Sequence, residues 1–287
     1  MFEFHSPSSL EEVMDCIAPE SANAKVVAGG TALVLLLNHQ LVDLDLLVNL
    51  QHVNDQPFRT ISREGEWLRI GGGVTLTDLA ASPWVTDGFN SLWSACSQVG
   101  NLRIRNSATL AGNLAEADYA SDPPAVLASL GAVCVIQSRR GTRRVPCSQF
   151  FLGYMQSVLR HDEIVVAVEV PLAVEGATAK YTKLSSRSMA DRPCVGVATR
   201  LQLDAGRLVD IDVVVGAVAQ TPQRLTDLLD RFKGQPFGTP DVDLIADGYA
   251  NQIDAISDGR GSGTYRRKVV RALVRRDLQA LLHTEAG

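Results

Sequence analysis

Apolar and polar residues alternate in period along this chain, and the changes of period mark its elements. Ser9-Leu10-Glu11-Glu12-Val13 opens a helical stretch within residues 6–18, with Ser9 as N-cap and Glu12 three residues on, as in a capping box. Lys25-Val26-Val27 is a short apolar strand, broken by Ala28-Gly29-Gly30-Thr31 and followed by a helical run from Ala32 to His39. Leu47 to Leu50 is the next strand. Strand, glycine turn, helix and strand in that order predict a parallel pairing.

Trp67 to Ile70 alternates as a strand, Gly71-Gly72-Gly73 turns it, and Thr77 is placed to cap a helix. Ser91 to Val99 is helical, and residues 101–114 form a Gly-, Asn- and Thr-rich loop. Pro123-Pro124 starts a helix, because proline suits the first turn. Ala132 to Gln137, a turn at Arg139 to Thr142, and Glu163 to Val170 supply further strands. Beyond Pro171 three strands come in succession, Lys180–Ser185, Gly196–Leu203 and Val209–Val218, before helices that end with Tyr265–Leu282. This order predicts an α+β chain with boundaries near 1–55, 56–171 and 172–287.

Composition narrows the function. Hydrophobic residues make up 46% of 287, and the net charge is −5. That excludes a disordered chain and disfavours nucleic acid as a partner, since phosphates demand a basic surface. Apolar runs such as Ala32–Leu37 fall far short of the ~20 residues of a membrane span. The start Met1-Phe2-Glu3-Phe4-His5 does not resemble a secretory signal. The 5 cysteines are odd in number and lack Cys-x-x-Cys spacing, so a reduced, cytoplasmic protein with no metal of its own is expected.

Candidate chemistry lies in a few segments. Val26-Val27-Ala28-Gly29-Gly30-Thr31-Ala32-Leu33 delivers a strand to two glycines and a helix start, where free N–H groups favour an anion and a missing Cβ lets a phosphate approach. An ordinary strand-to-helix turn has the same pattern. Thr109-Leu110-Ala111-Gly112-Asn113, with Asp122 downstream, is a second such loop or a structural one. Two loops could grip a pyrophosphate from both sides. Ile70 to Leu76 lacks the third glycine of a dinucleotide fingerprint and is taken as structural. Lys183, in Tyr181-Thr182-Lys183-Leu184-Ser185, either faces a ligand or lies on a solvated edge strand. The last helix carries Val270, Leu273, Val274, Leu278 and Leu281 as an apolar stripe opposite a basic face, which is solvated or else serves an acidic partner or packing.

Taken in order, these segments resemble the FAD-binding medium subunit of the molybdenum hydroxylases, the family of xanthine dehydrogenase and carbon monoxide dehydrogenase. The run Arg103-Ile104-Arg105-Asn106-Ser107-Ala108-Thr109-Leu110-Ala111-Gly112-Asn113 is the most specific piece, joined by Ser121-Asp122-Pro123-Pro124 and Phe150-Phe151-Leu152-Gly153-Tyr154. The resemblance implies two α/β subdomains holding FAD, then a C-terminal domain with a small antiparallel sheet and helices. It implies that Val26 to Leu33 (Val26, Val27, Ala28, Gly29, Gly30, Thr31, Ala32, Leu33) wraps the pyrophosphate. Thr109, Gly112 and Asn113 would form the second grip, with Val99 nearby. Asp122 would lie near the ribityl or adenosine part, Ile164 and Val165 would line the flavin pocket, and Lys183 and Tyr119 would lie by the ring. Ala32 stands where many relatives carry an acid, and Glu116-Ala117-Asp118-Tyr119 replaces a commoner Asn-Ala-Ser-Pro-type run.

The implied work is electron transfer within an oxidoreductase. Electrons from the 2Fe-2S clusters of a small partner subunit would pass through FAD to an external acceptor. Hydroxylation would occur on a large molybdopterin subunit, in a dimer of heterotrimers. A stand-alone FAD-dependent oxidoreductase and a non-catalytic assembly scaffold are the alternatives.

Overall fold

The computed structural model describes residues 2–18, 23–172 and 176–284. Its first sheet holds β1 (Glu3–His5), β2 (Ala24–Val27) and β3 (Leu46–Asn49) in the order β1-β3-β2, both pairs parallel. The parallel return from β2 to β3 runs through the helix Leu33–Asn38, as the glycine turn predicts. β1 has no sequence signal: its 3 residues are all exposed, so no alternation of burial marks it. At the helix Leu10–Cys16, the Ser9 hydroxyl accepts from the Glu12 N–H at 3.2 Å. The Glu12 carboxylate accepts from the Ser8 N–H at 2.7 Å, so the capping box closes one residue earlier than the pattern predicts.

The second sheet has the order β4-β5-β10-β6-β7, every pair antiparallel: β4 (Ile61–Glu64), β5 (Trp67–Gly71), β6 (Val133–Ser138), β7 (Gly141–Pro146) and β10 (Ile164–Pro171). The ribbon β8 (Phe151–Gly153) and β9 (Gln156–Ser157) stands apart from it. β10 is central and buried on both faces, which is why it reads as a continuous apolar run. Its Val165 and Val168 join the main core with Leu68, Ile70, Leu92, Leu110 and Ile136. Its Ile164 and Val166 turn the other way and meet Val13, Ile17, Val48 and Phe58. Alternation, shifted by a bulge between Val165 and Ala167, thus makes one strand the wall between two cores.

The third sheet is β11 (Ala177–Ser185), β12 (Pro193–Asp204), β13 (Arg207–Gly216) and β14 (Gln223–Arg224), antiparallel in chain order. Ala205 and Gly206 turn β12 into β13 with φ of 47° and 78°, the pair of positive values a tight hairpin requires. The helices Thr239–Gln252 and Gly263–Thr284 close this core through Val242, Ile245, Val270 and Val274.

Three sequence expectations change here. Thr75, not Thr77, caps the helix Leu76–Ala81, its hydroxyl accepting from the Asp78 N–H at 3.1 Å. Residues 101–114 are not one loop but two helices, Leu102–Arg105 and the start of Leu110–Glu116. The basic face of the last helix is only partly solvated. Arg266 is fully buried and donates to the Cys194 and Ala217 carbonyls, while Arg271 and Arg275 pair with Asp247 and Asp243 of the preceding helix. Among the described residues no helix is long and apolar enough to cross a membrane.

Candidate functional site

The Ala28–Ala32 turn is fixed by a close approach. A Cβ on Gly29 would lie 1.9 Å from the Ser107 carbonyl oxygen, so only glycine lets this turn rest on the Ser107–Ala108 backbone. Gly30 follows with φ +68°, and Ala32 begins the short helix Leu33–Asn38 without a side-chain cap. Among the described residues, no acceptor pairs with the amides of Gly29, Gly30, Thr31 or Ala32. Consecutive unpaired N–H groups at a strand-to-helix turn hold a standing demand for acceptor oxygens.

The second segment abuts the first through Ser107. Thr109 is the N-cap of the helix Leu110–Glu116, and its hydroxyl oxygen accepts from the Gly112 N–H at 3.0 Å. The expected loop is therefore a capped helical turn, and Gly112 and Asn113 lie inside the helix. Gly112 is needed there, since a Cβ would come within 2.9 Å of the Thr109 hydroxyl oxygen. The Asn113 side-chain oxygen accepts from the Ser121 hydroxyl at 2.7 Å. Val99 packs its side chain on the main core, and its carbonyl accepts from Arg105.

A cavity of about 680 Å³ opens beside both segments. Val26, Ala28, Thr109, Gly112, Ile164 and Val165 line it, as do Lys25, Gly72, Arg160 and Glu163, which the sequence reading passed over. Gly72 belonged to a motif set aside as structural. A Cβ there would lie 2.5 Å from the Val165 carbonyl oxygen, so the glycine turn also shapes the cavity wall. Glu163 is held by two Arg143 bonds of 2.9 and 2.7 Å and by the Arg160 N–H. No local motif announces it, because Arg143 reaches it from β7, beyond β6 in the sheet.

The remaining predicted residues lie outside that cavity. Lys183 is not on a solvated edge: its side chain is 2% exposed, and its ammonium donates to Asp122 at 2.9 Å and to the Gln98 carbonyl at 2.8 Å. The Tyr181 hydroxyl donates to the other Asp122 oxygen at 2.6 Å. Burial pushes the Asp122 carboxyl up, and the pull of Lys183 and Tyr181 does not offset it. Tyr181 shares the strand face of Lys183 at i, i+2, which was the available sequence signal for it. Tyr119 meets Tyr154 edge-on at 5.3 Å, and its hydroxyl donates to Asp258 at 2.6 Å. With the Asp118–Arg192 pair at 3.0 Å, it ties this segment to the C-terminal domain.

Four unpaired amides and a roomy cleft between two glycine-bearing turns fit a dinucleotide cofactor, whose pyrophosphate brings the missing acceptors. Residues 1–173 match the family described as FAD binding domain in molybdopterin dehydrogenase. The chain belongs to this family. Residues 180–281 match the CO dehydrogenase flavoprotein C-terminal domain. Among curated relatives, the nicotine 6-hydroxylase medium subunit of Paenarthrobacter nicotinovorans is 28% identical, with 96% of this chain and 95% of that protein covered. The carbon monoxide dehydrogenase medium chain of Hydrogenophaga pseudoflava is 27% identical over 97% and 96%.

Solved structures agree. A carbon monoxide dehydrogenase from Hydrogenophaga pseudoflava superposes with a TM-score of 0.93 at 27% identity, covering 98% of this chain and 97% of the other. Quinoline 2-oxidoreductase from Pseudomonas putida 86 gives 0.91 at 28%, covering 99% and 98%. This member of the FAD-binding family is an oxidoreductase component, and FAD is its cofactor.

Proposed function

We propose that this chain is the FAD-bearing electron-transfer subunit of a cytoplasmic molybdenum hydroxylase. It takes electrons from the 2Fe-2S clusters of a small partner subunit and passes them to an external acceptor. A large molybdopterin subunit completes each heterotrimer, and two heterotrimers pair. The observation that carries the reading is the run of unpaired amides from Gly29 to Ala32 seated on Ser107, beside the cavity. Membership of the FAD-binding family supports it, as do relatives that are themselves medium subunits.

FAD supplies the redox chemistry when bound. The chain's residues hold and tune it. The amides of Gly29, Gly30, Thr31 and Ala32 would hold the pyrophosphate, with Val27 and Leu33 fixing the ends of the turn. Thr109, Gly112 and Asn113 would add the second grip. Val26, Ala28, Ile164 and Val165 exclude water from the cofactor's apolar surface. Lys183, held by Asp122, would act on the flavin from outside the cavity lining, and Val99 and Tyr119 would support that side of the site without lining the cavity. The reading assigns the metal centres to the partner chains.

The test is a visible spectrum of the purified chain, with heat-released chromophore identified by mass, then capture of partners from the native host. Flavin bands, FAD in near-equimolar amount and co-purifying cluster and molybdopterin subunits are expected. Reduction of the complex by its substrate should then bleach the flavin bands. A colourless chain that refuses added FAD overturns the electron-transfer reading.

A further inference from the structure

A second cavity, of about 490 Å³, is lined along one side by β11 and shares no lining residue with the first. It sits where the second sheet's domain meets the C-terminal domain, a usual place for a ligand pocket. Phe89, Leu130, Leu172, Ala179 and Leu281 give it apolar walls. Among the described residues, the charged ones lining it are Lys180 and Arg200, both basic.

Each cation is held from behind. The Lys180 ammonium lies 3.2 Å from a carboxylate oxygen of Asp277, whose side chain is fully buried. Arg200 pairs with Asp210 at 2.6 Å and donates to the Ser129 carbonyl at 3.2 Å. Neither aspartate lines the cavity, so the surface facing the space is the positive side of both pairs. An ammonium carries three donors, and the Asp277 contact uses one. Anchoring from behind also reduces the side-chain entropy lost when a ligand binds.

We propose that this cavity binds a small monoanion with an apolar body, a carboxylate on an alkyl or aryl tail. The carboxylate accepts hydrogen bonds from Lys180 with Arg200 beside it, and the tail lies between Phe89, Leu130, Leu172 and Leu281. Because the walls come from both domains, the ligand braces one against the other.

Calorimetry on the full-length, FAD-loaded chain tests this with octanoate, octan-1-ol and octylammonium as probes. Octanoate is expected to bind in roughly equimolar amount and to raise the melting temperature. Octanol and octylammonium should bind at least about tenfold more weakly, the size of a lost charged hydrogen bond. Lys180→Met should weaken octanoate about tenfold, Lys180→Arg should restore most of it, and Ala179→Trp should abolish binding by filling the space. Equal binding of octanol, unchanged octanoate affinity in Ala179→Trp, or no octanoate binding at all overturns the proposal. If Ala179→Trp does not fold, the Lys180 pair of variants decides. Neither position lines the cofactor cavity, so FAD content stays at its normal level in every arm and separates this result from the cofactor reading.

Discussion

The Gly29–Ala32 turn and the Asp122–Tyr181–Lys183 cluster solve opposite problems with polar groups. The turn leaves a row of half-exposed amides without protein partners among the described residues, open to the oxygens of a ligand. The cluster buries two charges, yet each meets a protein partner: Lys183 has Asp122 and the Gln98 carbonyl, and Asp122 has Lys183 and Tyr181. An unsatisfied group marks where something binds, whereas a satisfied one marks what must not move. The first should therefore fail in cofactor retention and the second in stability.

Gly29→Val is the most severe way to break that contrast. Its side chain would occupy the Ser107 backbone, separating the two glycine segments. The expected result is protein purified without FAD, measured by the ratio of flavin to protein absorbance. Normal flavin content would show that the close approach is dispensable.

Lys183→Met attacks the other side. Removing one partner of a buried pair costs roughly 3–5 kcal/mol, which denaturant melts of the apo chain would register. If Lys183 also lies by the ring, the flavin midpoint potential falls. An unchanged potential with lowered stability would confine Lys183 to a structural role.

Tyr181→Phe sharpens the comparison through pH. It removes a hydrogen bond to a charged group, worth about 1.5–3 kcal/mol. Asp122 is held above its ordinary value by burial, so the folded state keeps its proton more readily than the unfolded state. Stability from this site therefore falls as pH rises above about 4, through the window up to the raised value. Tyr181 opposes that fall, because its bond favours the charged form. The cost of Tyr181→Phe should accordingly grow from pH 4 to pH 8. A cost independent of pH would mean that Asp122 does not titrate in this range.

Thr109→Ala is the mildest. Loss of the cap should cost about 1 kcal/mol and free the Gly112 N–H, and on the proposed reading it also removes a donor to the cofactor. Weaker FAD binding with a small stability loss is expected from titration and melting together.

How much of this was legible in the sequence differs between the two regions. The turn was legible because strand, glycines and helix are consecutive, and its close approach to Ser107 adds a reason without changing the reading. Thr109 to Asn113 reads as a loop in the sequence, since glycine and asparagine lower helix propensity and the cap that overrides them is a single hydroxyl. Lys183 was flagged, but its local surroundings fitted a solvated strand equally well. Tyr181 was quoted beside it without a role. Glu163 and Arg160 were not seen as cavity residues, because Arg143 reaches Glu163 from across the sheet.

The sequence by itself determined the order of elements, the glycine and threonine turns and the family, because each rests on neighbours in the chain and on backbone needs that local residues reveal. Only the tertiary structure decided that Gly29 rests on Ser107, that β10 separates two cores, and that Lys183 is spent on Asp122. Those contacts join residues far apart in the chain, 85 apart for Lys183 and Gln98, and no local pattern encodes which distant group satisfies a buried charge.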